Sequence, residues 1–254
     1  MRARVAGALG LTVMGALCSS CGPSAPGLPA LSGTITVFAA SSLNAGYTAI
    51  GKEFQTSHPG TMVTFTFGGS SMLVSQIQQG AIGDVFASAD QPNMQKLIDA
   101  GLTAESPIVF ARNNLEIVVG KGNPKHITSL SDLGRSGLVV VLCAPAVPCG
   151  RYAAQALQKA GVSVRPASQE ADVKAVLSKV ALGEADAGIV YITDVKAAGT
   201  AVEGVAIPAA VNVVAEYPIV ILKDSPNRAL ARAFISYVLT DGRRILARYG
   251  FTSP

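Results

Sequence analysis

The sequence predicts an α/β fold of two lobes, each a largely parallel sheet flanked by helices, with a ligand cleft between them. From Gly33 onward, short apolar runs of strand length alternate with stretches whose apolar residues recur at helical spacing, the signature of βαβ units. A strand at residues 35–40 runs directly into Ser41-Ser42 and then a helical pattern, and this strand-turn-helix arrangement is echoed in the second half without sequence repetition. A mature chain of about 230 residues has room for one large or two smaller domains.

Residues 35–39 read as the first strand and 43–56 as a helix, with Ala45, Ile50 and Phe54 on one face and His58-Pro59-Gly60 as its stop. Residues 62–67 alternate as a second strand, and Gly68-Gly69-Ser70-Ser71 turns into a helix over 72–79. A third strand spans 83–89, and Gln91-Pro92 opens a helix that ends near Ala100-Gly101. The second half brings a strand at 114–119, a short helix at 130–133 and a buried strand at 138–143. Helices follow at 151–160 and 173–181, the latter opened by Glu170-Ala171-Asp172. A strand at 186–190 ends on Tyr191, a strand at 217–222 returns to the first half, and helices at 227–239 and 241–249 close the chain. The crossing points near 112–115 and 215–218 divide the chain into lobe 1 (33–113 with 216–254) and lobe 2 (114–215), a hinge-closing arrangement.

Residues 1–20 read as an export signal: basic Arg2 and Arg4, then an apolar run from Val5 to Leu17 shorter than a membrane span needs. Leu17-Cys18-Ser19-Ser20-Cys21 resembles a bacterial lipoprotein cleavage site, with Cys21 becoming the lipidated first residue and 21–32 a tether. Of the 20 basic residues, Arg2 and Arg4 leave with the signal, so 18 remain against 16 acidic ones, a net +2. That balance, with no basic run, excludes a nucleic-acid partner. Of the 4 cysteines, Cys143 and Cys149 then remain, bracketing Ala144-Pro145-Ala146-Val147-Pro148. Outside the cytoplasm a disulfide across this turn is expected; a metal pair is the alternative, but no further ligand is nearby.

A catalytic serine is the first chemistry to test. Gly68-Gly69-Ser70-Ser71-Met72 is not a nucleophile elbow, and the only histidines, His58 and His126, lie in polar turns beside prolines. No carboxylate pair, metal motif or P-loop is present, so a hydrolase using Ser42 or Ser70 is the minor reading and no enzyme is expected. Binding has more support. Ser41-Ser42, Ser70-Ser71, Cys149-Gly150 and Asp172-Val173 all sit where a strand ends or a helix begins, and Tyr191 adds a phenol. Bare helix N-termini and hydroxyls offer hydrogen-bond donors, and the carboxyl ends of strands are where open α/β sheets hold ligands. Taken singly, each serine is an ordinary helix cap and Tyr191 an ordinary packing residue; Ser41 is expected to remain such a cap.

At these positions the chain resembles the periplasmic molybdate-binding proteins of ABC importers, within the type II class of two-lobed periplasmic binding proteins. The resemblance runs from about Thr34 to Thr252 through Val37-Phe38-Ala39-Ala40-Ser41-Ser42-Leu43, Gly83-Asp84-Val85-Phe86-Ala87-Ser88-Ala89-Asp90, Gly188-Ile189-Val190-Tyr191 and Arg248-Tyr249-Gly250-Phe251-Thr252. It implies that Ser42 and Ser70 donate hydroxyl and main-chain hydrogen bonds to an oxyanion, Cys149 and Val173 main-chain ones, and Tyr191 its phenol. The family commonly has Ala where this chain has Cys149. It further implies molybdate or tungstate as ligand, no cofactor and no directly bound metal, a membrane permease as partner, and a lipid-anchored monomer on the outer face of the membrane. Sulfate, thiosulfate or another small anion is the alternative cargo. Asp172, beside the expected site, is assigned to its own helix start, since a carboxylate aimed at the ligand would repel it.

Overall fold

The computed structural model describes residues 31–254 together with Ala3 and Gly7, so the expected signal, Cys18, Cys21 and most of the tether lie outside the described residues. Leu31–Pro254 hold together as one unit. In order, the elements are β1 (Gly33–Ala40), α1 (Asn44–Ser57), β2 (Thr61–Gly68), α2 (Ser70–Gln78), β3 (Val85–Ala87) and α3 (Gln91–Asp99). Then come β4 (Ile108–Gly120), β5 (Val140–Cys143), α4 (Pro148–Lys159), β6 (Ser168–Glu170), α5 (Val173–Ala181), β7 (Ala187–Tyr191) and α6 (Ile192–Ala198). The chain closes with β8 (Val202–Ala206), β9 (Val214–Ile221), α7 (Arg228–Leu239) and α8 (Asp241–Arg248).

The strands lie in the order β2-β1-β3-β9-β4-β7-β5-β6, with β8 also on β4. On one side β1 pairs in parallel with β2 and β3; on the other β5 pairs in parallel with β6 and β7. Between these parallel groups run β4 and β9, antiparallel to their neighbours. β4 is the joint: residues 108–114 pair with β9, and Leu115–Val119 pair with β7. Its 13 residues exceed the expected strand at 114–119, because the two halves of one strand serve two groups.

Covered by helices, β1 alternates between two cores, as the two-residue period of a strand requires. Ile35, Val37 and Ala39 are fully buried in the main core, which holds Tyr47, Phe54 and Phe234, with Phe54 edge-on to Phe234 at 5.5 Å. Phe38 faces a second cluster with Leu73, Phe86, Met94 and Leu97 under α2 and α3. Each such side chain removed from water contributes on the order of 1.5–3 kcal/mol. This burial fixes β1, and with it the position at which Ser41 and Ser42 leave the sheet.

Candidate functional site

Strand β1 ends at Ala40, β2 at Gly68, β5 at Cys143, β6 at Glu170 and β7 at Tyr191, and residues at or just after those ends meet around one cavity of about 10 Å³. That is smaller than the roughly 300–1,000 Å³ of sites for drug-sized molecules, so its occupant is a small ion or molecule. Ser42, Ser70, Cys149, Val173 and Tyr191, expected from sequence as one site, all line it. No lining residue carries a charge.

Each wall presents donors for a local reason. After β1 the chain enters a short 3₁₀ turn, Ser41–Leu43, whose first N–H groups have no partner within the turn. Ser70 is the first residue of α2, behind Gly69 in extended conformation. Helix α4 starts with Pro148, which has no N–H to lose, so Cys149 carries the first free N–H of that helix. Asp172 caps α5, accepting from the N–H groups of Lys174 at 2.7 Å and Ala175 at 3.1 Å. The N–H of Val173 is left over from that cap, and Val173 lines the cavity. Asp172 itself is absent from the lining, so its carboxylate serves its own helix. Four helical N-termini therefore bring their positive ends to one point without a cationic side chain.

The side-chain hydroxyls complete the set. Ser70 Oγ accepts from the Ala89 N–H at 3.0 Å, and Ser42 Oγ lies 3.0 Å from Tyr217 Oη. Tyr191 is buried and its hydroxyl has no hydrogen-bond partner among the described residues. Burial, with Tyr217 and Tyr152 beside it, pushes the Tyr191 phenol well above its ordinary range, so it stays protonated. Asp194 accepts from the Tyr191 N–H at 3.2 Å and pairs with Lys174 at 2.9 Å, which holds the end of β7 against α5.

Cys143 and Cys149 form a disulfide, Cα to Cα 5.8 Å, joining the end of β5 to the first turn of α4. Gly150 allows this close approach: a Cβ there would collide with the Ala144 and Cys143 carbonyl oxygens. One expectation needs adjustment. Ser41 makes no capping bond and lines the cavity beside Ser42, because the 3₁₀ turn aims it inward rather than along the helix. Gly68, Gly69, Ala89 and Val147 also border the cavity, positions with no polar side chain to mark them in the sequence. His58 and His126 are not in the wall; His58 stacks on Phe54 at 4.2 Å, so no general base stands by either serine.

An α/β fold whose strand ends enclose a small cavity of uncharged donors defines a two-lobed binding protein of the periplasmic class. The chain belongs to the bacterial extracellular solute-binding protein family, which it matches over residues 35–252. It is 45% identical over 246 residues to molybdate-binding protein ModA of Mycobacterium tuberculosis (strain ATCC 25618 / H37Rv), covering 96% of this chain and 94% of that one. The solved Azotobacter vinelandii periplasmic molybdate-binding protein matches with a TM-score of 0.76 at 22% identity, over 87% of this chain and 99% of that one. The sulfate-binding protein SubI from Mycobacterium tuberculosis H37Rv matches with a TM-score of 0.78 at 21% identity, over 87% and 86%. At such identities the two solved structures speak for the fold alone. The chain is thus an extracytoplasmic solute-binding protein and not an enzyme. Among the described residues no helix is long and apolar enough to cross a membrane.

Proposed function

We propose that the chain binds molybdate, and tungstate with it, in this cavity and delivers the anion to the permease of an ABC importer. The observation that carries the reading is the Tyr191 hydroxyl, buried in the wall of a charge-free cavity with no hydrogen-bond partner among the described residues. A donor left unmatched there costs free energy until a ligand oxygen accepts from it. The hydroxyls of Ser42 and Ser70 and the N–H groups of Ser42, Ser70, Cys149 and Val173 supply the other donors.

Molybdate and tungstate are fully deprotonated near neutral pH, so their oxygens only accept. A wall without a carboxylate suits them, whereas hydrogen phosphate would find no acceptor for its proton. Sulfate meets the same hydrogen-bond requirement, so size separates it from molybdate. Residues 33–113 with 216–254 form one lobe and 114–215 the other, closing on the anion about β4 and β9. Cys21 carries a lipid that anchors a monomer outside the membrane, next to its permease.

Titration calorimetry with molybdate, tungstate, sulfate and phosphate tests the assignment. The first two are expected to bind far more tightly than sulfate, and phosphate not measurably. Sulfate bound as tightly as molybdate would overturn the size-selective reading. Mass spectrometry of the membrane-associated protein tests the anchor, with an unmodified Cys21 counting against it.

A further inference from the structure

We propose that Asn113 and Tyr217 are positioning residues that fix the direction of the Ser42 hydroxyl, so that its proton is turned to the cavity. The inference rests on the cavity being an oxyanion site, and it adds a selectivity device to that reading.

The direction follows from hydrogen-bond roles. Asn113 Oδ1 accepts from the Asn114 main-chain N–H at 3.0 Å, a group that can only donate, and this sets which way round the amide lies. The Asn113 Nδ2 therefore points the other way, donating to Thr193 Oγ1 at 2.8 Å and to Tyr217 Oη at 3.4 Å. Tyr217 has one hydroxyl proton; with Asn113 donating to its oxygen, that proton goes to Ser42 Oγ, 3.0 Å away. Ser42 Oγ accepts it, and its own proton is turned toward the cavity it lines. All four side chains are buried, which shields the relay behind the cavity from bulk water.

Ser70 is set by the same logic with a shorter chain. Its Oγ accepts from the Ala89 N–H, which leaves the hydroxyl proton for the cavity. A free serine hydroxyl can donate or accept, and would tolerate an anion that carries its own proton. With one lone pair of each serine oxygen taken from behind and its proton turned to the cavity, such an anion finds a donor in the favoured direction rather than an acceptor. Burial holds the Tyr217 phenol well above its ordinary range, so the relay keeps its proton at any physiological pH.

Molybdate and inorganic phosphate are titrated calorimetrically into wild type, Tyr217→Phe, Ser42→Ala and the double variant. Tyr217→Phe is expected to weaken molybdate about 2- to 12-fold, the span of one hydrogen bond, and to raise phosphate affinity relative to molybdate. In the Ser42→Ala background, Tyr217→Phe is expected to cost nothing further, because the hydroxyl it orients is gone. Asn113→Ala, which leaves Tyr217 with no donor behind it, should show the same dependence on Ser42 and serves if Tyr217→Phe does not fold. Equal losses in both backgrounds, or an unchanged anion preference, would mean a packing role and overturn the relay alone. A wild-type chain that takes no molybdate overturns the reading of the cavity, and the relay with it.

Discussion

Arg151 Nη1 lies 2.9 Å from Asp90 Oδ2, tying the residue that caps α3 to the first turns of the helix that carries Cys149. Asp90 is fully buried and also accepts from the Asn93 N–H at 3.0 Å. Each partner adjoins the cavity wall, Asp90 following Ala89 and Arg151 standing two residues after Cys149.

Removing the cation should therefore expose the cost of the buried carboxylate. Burial already raises the Asp90 carboxyl above its ordinary range, opposed by the Asn93 N–H and by Arg151. Arg151→Met is expected to lower unfolding stability near neutral pH by about 3–5 kcal/mol. A raised folded-state carboxyl penalises the fold only once it is ionised, so the deficit is absent below about pH 4, the unfolded value, and grows as pH rises through the folded one. Denaturant unfolding at several pH values checks this, and a deficit independent of pH would remove Asp90 as its source.

Gly69 stands against the loop before α5. A Cβ on it would run into the Ala171 carbonyl oxygen, although its own backbone, φ −60° and ψ 133°, suits any residue. Gly69→Ala should hence spare the open chain and obstruct closure of the two proposed lobes. Molybdate affinity is expected to fall by about 1–3 kcal/mol, the usual cost of overpacking. Stability without anion should stay within about 0.5 kcal/mol. A matching loss of unliganded stability would show that the contact belongs to the fold rather than to closure.

Much of the site is legible in the sequence, because main-chain donors sit at helix starts and helix starts leave traces there. Pro148 before Cys149, Asp172 before Val173 and the hydroxyls after β1 and β2 are such traces. What escapes is set by distant pairing. β6 and β8 are short and partly polar, and are strands only because β5 and β4 accept them at the sheet edges. Helix α6 begins directly after Tyr191, with Thr193 and Asp194 buried by contacts that no local pattern announces. Tyr217 reaches Ser42 across 175 residues, and one chain alone gives no sign of that pairing. Hydroxyls before helices are usually caps, which makes a cap the natural expectation for Ser41; the intervening 3₁₀ turn changes its direction.

The Cys143–Cys149 bridge closes a loop with a sequence separation of 6, so its entropic effect on the unfolded chain is modest. Replacing both cysteines with Ala should lower stability by about 2 kcal/mol on that account. Molybdate affinity should fall as well, because the Cys149 N–H is braced through this bond to the end of β5. Thiol labelling of the unreduced protein is expected to miss both residues. Quantitative labelling of both would disprove the bridge, and an unchanged affinity in the double variant would show that α4 holds its first turn without it.

Tyr191 gives the sharpest test, since its two effects have opposite signs. Its hydroxyl is buried and unpartnered among the described residues, so Tyr191→Phe removes a group that costs the unliganded fold free energy. Denaturant unfolding without anion is expected to show a gain on the order of 1 kcal/mol. The same substitution deletes a donor from the cavity, and molybdate binding should weaken by about 1–3 kcal/mol. A packing residue would show either no change in affinity or a loss in both measurements. Ser70→Ala separates the cases further: it strips the Ala89 N–H of its acceptor, so both stability and affinity should fall. Only a hydroxyl kept for the ligand at the expense of the fold produces the crossed pattern expected of Tyr191.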